Sequence, residues 1–293
     1  MKYKGLIATA ACAIVLAAAG CSDNNNSGSS GKTVSFGAKA ALGALRNATC
    51  TVTTFPGGTS LDGPFTTNAD GVVVFGDVIF ATPAPNLLIS CTQGSYYDEA
   101  RDSEYPLGSS VIRTIVPSSR INLATDGGAL AVAVTSYTEI ATALALNNDP
   151  TSPSADTIED ALAAVATMAG IPGVDLLTPP TTVSQNAKIS ASTPSDLYAA
   201  ALAGLAFAAK TAGSPNVGEY TVTLSQTVAG GNNISASIIN AIDAGTDTAA
   251  ADPNVTNPQA TPALQNAVNQ QQQAAGSPGD RGRVQDPTGG ISG

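Results

Sequence analysis

The chain has 293 residues and a formal charge of −10, with only 12% charged residues and neither His nor Trp. An acidic chain without a basic stripe argues against a nucleic-acid partner. The missing His excludes a Ser-His-Asp or Cys-His device and any His-containing zinc site, while carboxylate pairs, Ser-Lys pairs and Ca²⁺ sites stay open.

At the start, Lys2 and Lys4 precede an uncharged apolar run from Leu6 to Ala19. The run is too short to span a bilayer, so residues 1–20 read as an export signal. Ala18, Ala19, Gly20 and Cys21 resemble the bacterial lipobox, which implies a diacylglycerol on the Cys21 sulfur. A plain signal peptide beside an incidental cysteine is the alternative. Residues 21–32 are polar and rich in Gly, Ser and Asn, a flexible tether between a lipid anchor and a folded domain. Ser22, where Asp would favour the inner membrane, points to the outer membrane of a bacterial envelope. Removing residues 1–20 takes away Lys2 and Lys4 and moves the formal charge from −10 to −12.

Cys12 leaves with the signal and Cys21 carries lipid, so Cys50 and Cys91 remain. In an oxidising compartment that pair most simply forms a disulfide between two strands; two buried free thiols are the alternative.

Residues 33–119 read as a small antiparallel β-sandwich of about seven short strands. "TVSFG", "ATCTVTTF", "GVVVFGDVIF", "PNLLISCT" and "SSVIRTIVP" are rich in Val, Ile, Thr and Phe, whereas "FPGGTSLDGPF" and "TNADG" are turn chemistry. Thr67, Asn68, Asp70 and Gly71 form a turn motif. Gly94, Tyr96, Asp98, Glu99 and Ala100 form a closing motif. In that order the two resemble the carboxypeptidase regulatory-like, Ig-like sandwich of bacterial surface lipoproteins. The acidic run "YYDEARDSEY" offers Asp98, Glu99, Asp102 and Glu104 as weak Ca²⁺ candidates, against the plainer reading of a solvated acidic loop.

Residues 128–245 change to a mostly helical pattern. Ser136-x-x-Glu139 reads as a capping box, Asp156-x-x-Glu159 repeats it, and Gly170 sits where a C-terminal cap belongs. Thr193 and Pro194 open a third helix. "GEYTVTLSQTV", 218–228, alternates Tyr220, Val222 and Leu224 with polar residues and predicts a strand. "ISASIINAIDAG", 234–245, predicts a short helix with Ile234, Ile238 and Ile242 in line. The resemblance continues here through Thr135 and Thr138, through Gly170, Asp175 and Leu177, and through Tyr198, Leu202, Ala203 and Leu205. It implies architecture and surface location and brings no catalytic residue with it.

From 249 to 293 Pro, Gly, Gln and Asn dominate, and the tail is expected to be disordered. One short helix is possible within it, with Thr261 as cap, Pro262 following, and Leu264 and Val268 on one face. The fold class is therefore α+β: a sandwich, a small helical domain and a tail. The expected function is a non-catalytic, lipid-anchored envelope protein without cofactor, binding a protein or polysaccharide or acting as an adhesin or scaffold. Two alternatives accompany it. One is a polysaccharide- or cell-wall-active enzyme pairing Asp98 or Glu99 with Asp156, Glu159 or Asp160. The other is a periplasmic assembly factor whose tail folds on a partner.

Overall fold

The computed structural model of the protein describes residues 31–80 and 83–284. The signal, Cys21 and nearly all of the tether lie outside the described residues. The architecture is α+β, with a β region first and helices after it.

The chain enters on β1 (Lys32–Ala41), followed by β2 (Thr49–Phe55), β3 (Ser60–Thr66), β4 (Val72–Phe80) and β5 (Asn86–Thr92). Then come β6 (Ser95–Asp98), β7 (Ser103–Pro106), β8 (Val111–Val116), the short helix α1 (Ser118–Leu123) and β9 (Gly128–Thr135). One sheet has the order β4-β1-β9, a second β3-β2-β5-β8, and β6 pairs with β7 alone. The five strands expected from Val/Ile/Thr-rich runs are all present. β3 is an addition: it occupies a stretch that reads as turn chemistry. Gly63 and Pro64 weaken its strand signal, and its place at the sheet edge tolerates them.

β9 also departs from expectation. It opens the stretch expected to be helical, yet it pairs with β1, in register from Val34 opposite Gly128 to Ala41 opposite Thr135. That pairing is parallel, so the three-stranded sheet is mixed. The long connection that a parallel pair requires is supplied here by the other seven strands and α1.

Six elements follow: α2 (Ser136–Asn148), α3 (Ala155–Met168), α4 (Pro194–Thr211), α5 (Val217–Ala229), α6 (Ala236–Ala251) and α7 (Thr261–Ala275). A single turn, α8 (Pro278–Arg281), closes the described chain. α4 begins as predicted, with Thr193 accepting from the Asp196 amide and Pro194 in the first turn. α2 is capped one residue earlier than expected: Thr135 accepts from the Thr138 amide, and the Thr138 hydroxyl accepts from the Thr135 amide. α3 is capped by Ser154, leaving Asp156 to favour the helix dipole from the first turn. Gly170 ends α3 with φ +73°, and the Ile171 amide reaches back to the Ala166 carbonyl.

The strand expected at 218–228 is a helix. Asn216 caps α5, and Val217, Tyr220, Thr221, Leu224 and Val228 are its buried stripe. The two-residue alternation of Tyr220, Val222 and Leu224 coincides with part of a helical repeat, and packing on α2 selects the helix. α6 runs beyond the predicted Gly245 to Ala251. It crosses α4 closely where Gly204 meets Thr246. A Cβ on Gly204 would lie 2.6 Å from the Thr246 amide nitrogen and 2.7 Å from its Cα, so only glycine allows the approach.

Within the tail, Leu264 and Val268 of α7 are buried as expected, although Ala260 and not Thr261 is the cap position. Residues 261–284 are folded against the helices. Arg281 donates to the carbonyls of Thr167 and Met168 and to both carboxylate oxygens of Asp243. The expectation of disorder is thereby left only for 285–293, outside the described residues. One contiguous apolar core joins the sheets to the helices, from Phe36 and Phe75 through Tyr137 and Tyr198 to Val268. Among the described residues no helix is long and apolar enough to cross a membrane.

Candidate functional site

A groove of about 960 Å³ opens where the start of β8 meets α2 and α5. Its floor is an ion pair. Arg113 on β8 donates from Nη2 to Glu139 Oε1 at 2.6 Å and from Nε to Oε2 at 3.0 Å, and its backbone amide also donates to Oε2 at 2.8 Å. Glu139 projects from the first turn of α2, so the residue read as part of a capping box serves the edge of the sheet instead. The Glu139 side chain is 4% exposed and that of Arg113 33%. Burial raises the Glu139 carboxyl pKa, and the hydrogen bonds from Arg113 oppose that shift. The groove is therefore floored by a nearly neutralised pair whose guanidinium still faces solvent.

The α2 wall presents Ala143 and Leu146, and the α5 wall presents Val222 and Gln226. Ser225, also on α5, lines the groove with its Oγ buried and without a hydrogen-bond partner. This mixture of apolar walls and a few oriented polar groups suits ligand binding. The groove was not legible beforehand because one wall lies in the stretch read as a strand. The spacing of Val217, Tyr220, Leu224 and Val228 was the signal that could have revealed it.

The acidic run takes a different form from a solvated loop. Asp98 and Glu99 are 0% and 3% exposed. Asp98 pairs with Arg101 Nη1 at 2.8 Å, and Arg101 continues to the Ser214 carbonyl. Asp102 accepts from the Tyr97 hydroxyl at 2.6 Å, and Glu104 pairs with Arg46 at 2.8 Å. Each of these three Ca²⁺ candidates thus has its own protein partner. Among the described residues no group of three or more His, Cys, Asp or Glu could hold a metal ion. Glu99 lines a small cavity of about 10 Å³ between the sheets and α4, with Oε2 unpartnered. Burial holds its carboxyl pKa well above 4.5.

The carboxylates proposed as enzymatic partners are similarly occupied or exposed. Glu159 accepts from Arg120 Nε at 2.8 Å, and Arg120 Nη1 reaches Asp175 at 2.8 Å. Asp156 and Asp160 are exposed on α3. Cys50 and Cys91 sit directly opposite each other on β2 and β5 and are joined by a disulfide. Cys21 lies outside the described residues.

Two of the motif residues singled out in the sequence, Thr67 and Tyr198, are buried and hydrogen-bonded. Thr67 takes the Ala48 amide and donates to the Leu45 carbonyl, holding the turn that Asn68 closes on Asp70 and Val72. Tyr198 joins Thr135 to the Leu176 carbonyl. The chain matches no family model, no curated protein and no solved structure.

Proposed function

We propose that this chain is a non-catalytic, lipid-anchored protein of the bacterial cell envelope that binds a partner in the groove between β8, α2 and α5. The observation that carries the reading is the groove itself. It is open, its walls are largely apolar, and its floor is the Arg113–Glu139 pair. The disulfide is consistent with an oxidising compartment. The lipobox-like residues before Cys21 and the polar segment after it supply the anchor and spacer. The carboxylates available for hydrolysis support a binding role, since the buried ones and Glu159 mostly serve structural ion pairs. The resemblance to the regulatory-like surface sandwich belongs to the same reading.

Two measurements test it together. Detergent-phase partitioning of the protein from a bacterial host should place the wild type in the detergent phase and Cys21→Ala in the aqueous phase. A Cys21→Ala protein that still partitions into detergent would overturn the anchor. Surface display on intact cells, with and without Leu146→Arg in the groove, should show partner capture only when the groove is open.

A further inference from the structure

We infer that the groove takes an extended peptide, which adds as a short strand to the open edge of β8 at Val111. This rests on the binding role proposed above and names its ligand class.

Among the described strands β8 is the last of its sheet, hydrogen-bonded to β5 on one side only. Along such a strand the backbone groups of alternate residues point to alternate sides. At Arg113 the outward side is visible: its amide donates to Glu139 Oε2, and its carbonyl accepts from the Thr138 hydroxyl at 3.0 Å. α2 therefore caps the sheet edge at Arg113. Val111, two residues earlier, points its amide and carbonyl to the same side, beyond the reach of those two caps. It lines the groove and is 37% exposed, one of five large apolar residues left so open among the described residues. An edge pair of this kind is a template for an incoming strand.

The surroundings fit an extended polypeptide. An incoming residue would donate to the Val111 carbonyl and accept from its amide. Its neighbours would then lie alternately toward solvent and toward the wall made by Leu146 and Val222. Ser225 of α5 lines the same wall, although its Oγ is itself buried. Among the described residues no aromatic side chain lines the groove, so they offer no stacking platform of the kind a sugar ring would use.

The test uses the full-length protein and linear decapeptides selected against it from a random display library. The highest-affinity peptide is then synthesised and titrated while backbone amide exchange is followed by NMR. Binding should slow exchange at Val111 about tenfold or more and leave Arg113, already bonded to Glu139, unchanged. Val111→Pro removes the outward amide at the first residue of an edge strand, a position that tolerates proline. It should weaken the peptide about tenfold, whereas Val111→Ala should change affinity less. Val222→Arg fills the groove and should abolish binding, and unchanged circular dichroism would show that it still folds. Selection of no binding peptide, or binding that leaves Val111 exchange unchanged, overturns the inference. So does Val111 protection that rises with protein concentration alone, since it marks a second copy as the occupant. Peptide binding elsewhere on the protein, or saccharide binding in the groove, would sink strand addition while leaving the binding role intact.

Discussion

Thr135 Oγ1 and Tyr198 Oη lie 2.5 Å apart, both fully buried, and tie the end of β9 to the middle of the helical layer. Tyr198 Oη also donates to the Leu176 carbonyl at 3.2 Å, and the neighbouring Leu177 carbonyl accepts from the Ala133 amide. Sheet, loop and α4 are thus joined around one phenol. Tyr198→Phe keeps the packing and removes the shared oxygen. It should destabilise by about 1–2 kcal/mol, because a buried carbonyl loses its donor. Urea unfolding would measure this. A double-mutant cycle with Thr135→Ser should show little coupling, since serine retains the hydroxyl.

Arg281 is the fastening of the C-terminal segment. Its guanidinium is 1% exposed and satisfies Asp243 and two carbonyls at the end of α3. Arg281→Met leaves those acceptors buried and should cost about 3 kcal/mol, within the range for breaking a buried pair from one side. Limited proteolysis should then cut between α7 and α8 faster than in the wild type. Equal cleavage rates would show that α7 alone holds the segment.

Glu99 makes stability fall with rising pH. Burial keeps its carboxyl protonated in the folded protein above 4.5, where the unfolded chain ionises. The folded state then binds more protons, so stability declines from that value upward until the folded group itself ionises. Asp98 and Glu139 are shifted in the same direction by burial. Glu99→Gln removes the Glu99 contribution. Its stability relative to wild type should improve progressively as pH rises above 4.5. A difference that stays constant across that range would assign the pH dependence to other groups.

Reducing the disulfide should loosen the second sheet. Cys50 and Cys91 are 41 residues apart in sequence, and closing a loop of that size is worth about 4 kcal/mol in the chain-entropy account. The Cys50→Ala, Cys91→Ala double variant should therefore melt well below the oxidised wild type. Dithiothreitol should lower the wild-type midpoint and leave the variant unchanged.

Much of the strand layout was legible because β-branched runs and turn residues alternate clearly up to Val116. The disulfide was legible because two cysteines remained in matching strands. β3 was hidden by Gly63 and Pro64, which an edge strand tolerates and a local reading counts as turn. β9 was hidden by its partner: β1 lies about ninety residues upstream in the chain, and no local pattern announces a parallel pairing at that separation. α5 was misread because three alternating apolar residues fit either period until burial against α2 decides between them. The groove depends on all three of β8, α2 and α5, so it could not be assembled from any one segment. The folding of 261–284 escaped a compositional reading because its stability comes from one arginine and a few apolar contacts, not from average hydrophobicity.

The position of β1 has a mechanical consequence. Residue 31 leads straight into the central strand of its sheet, flanked by β4 running antiparallel and β9 running parallel. Tension arriving through the preceding segment is directed along the strand axis, across the hydrogen bonds of both ladders. Those bonds share the load in shear and do not open one after another. A pulling force applied at residue 31 would therefore load β1, β4 and β9 before the disulfide-linked sheet and the groove beside β8.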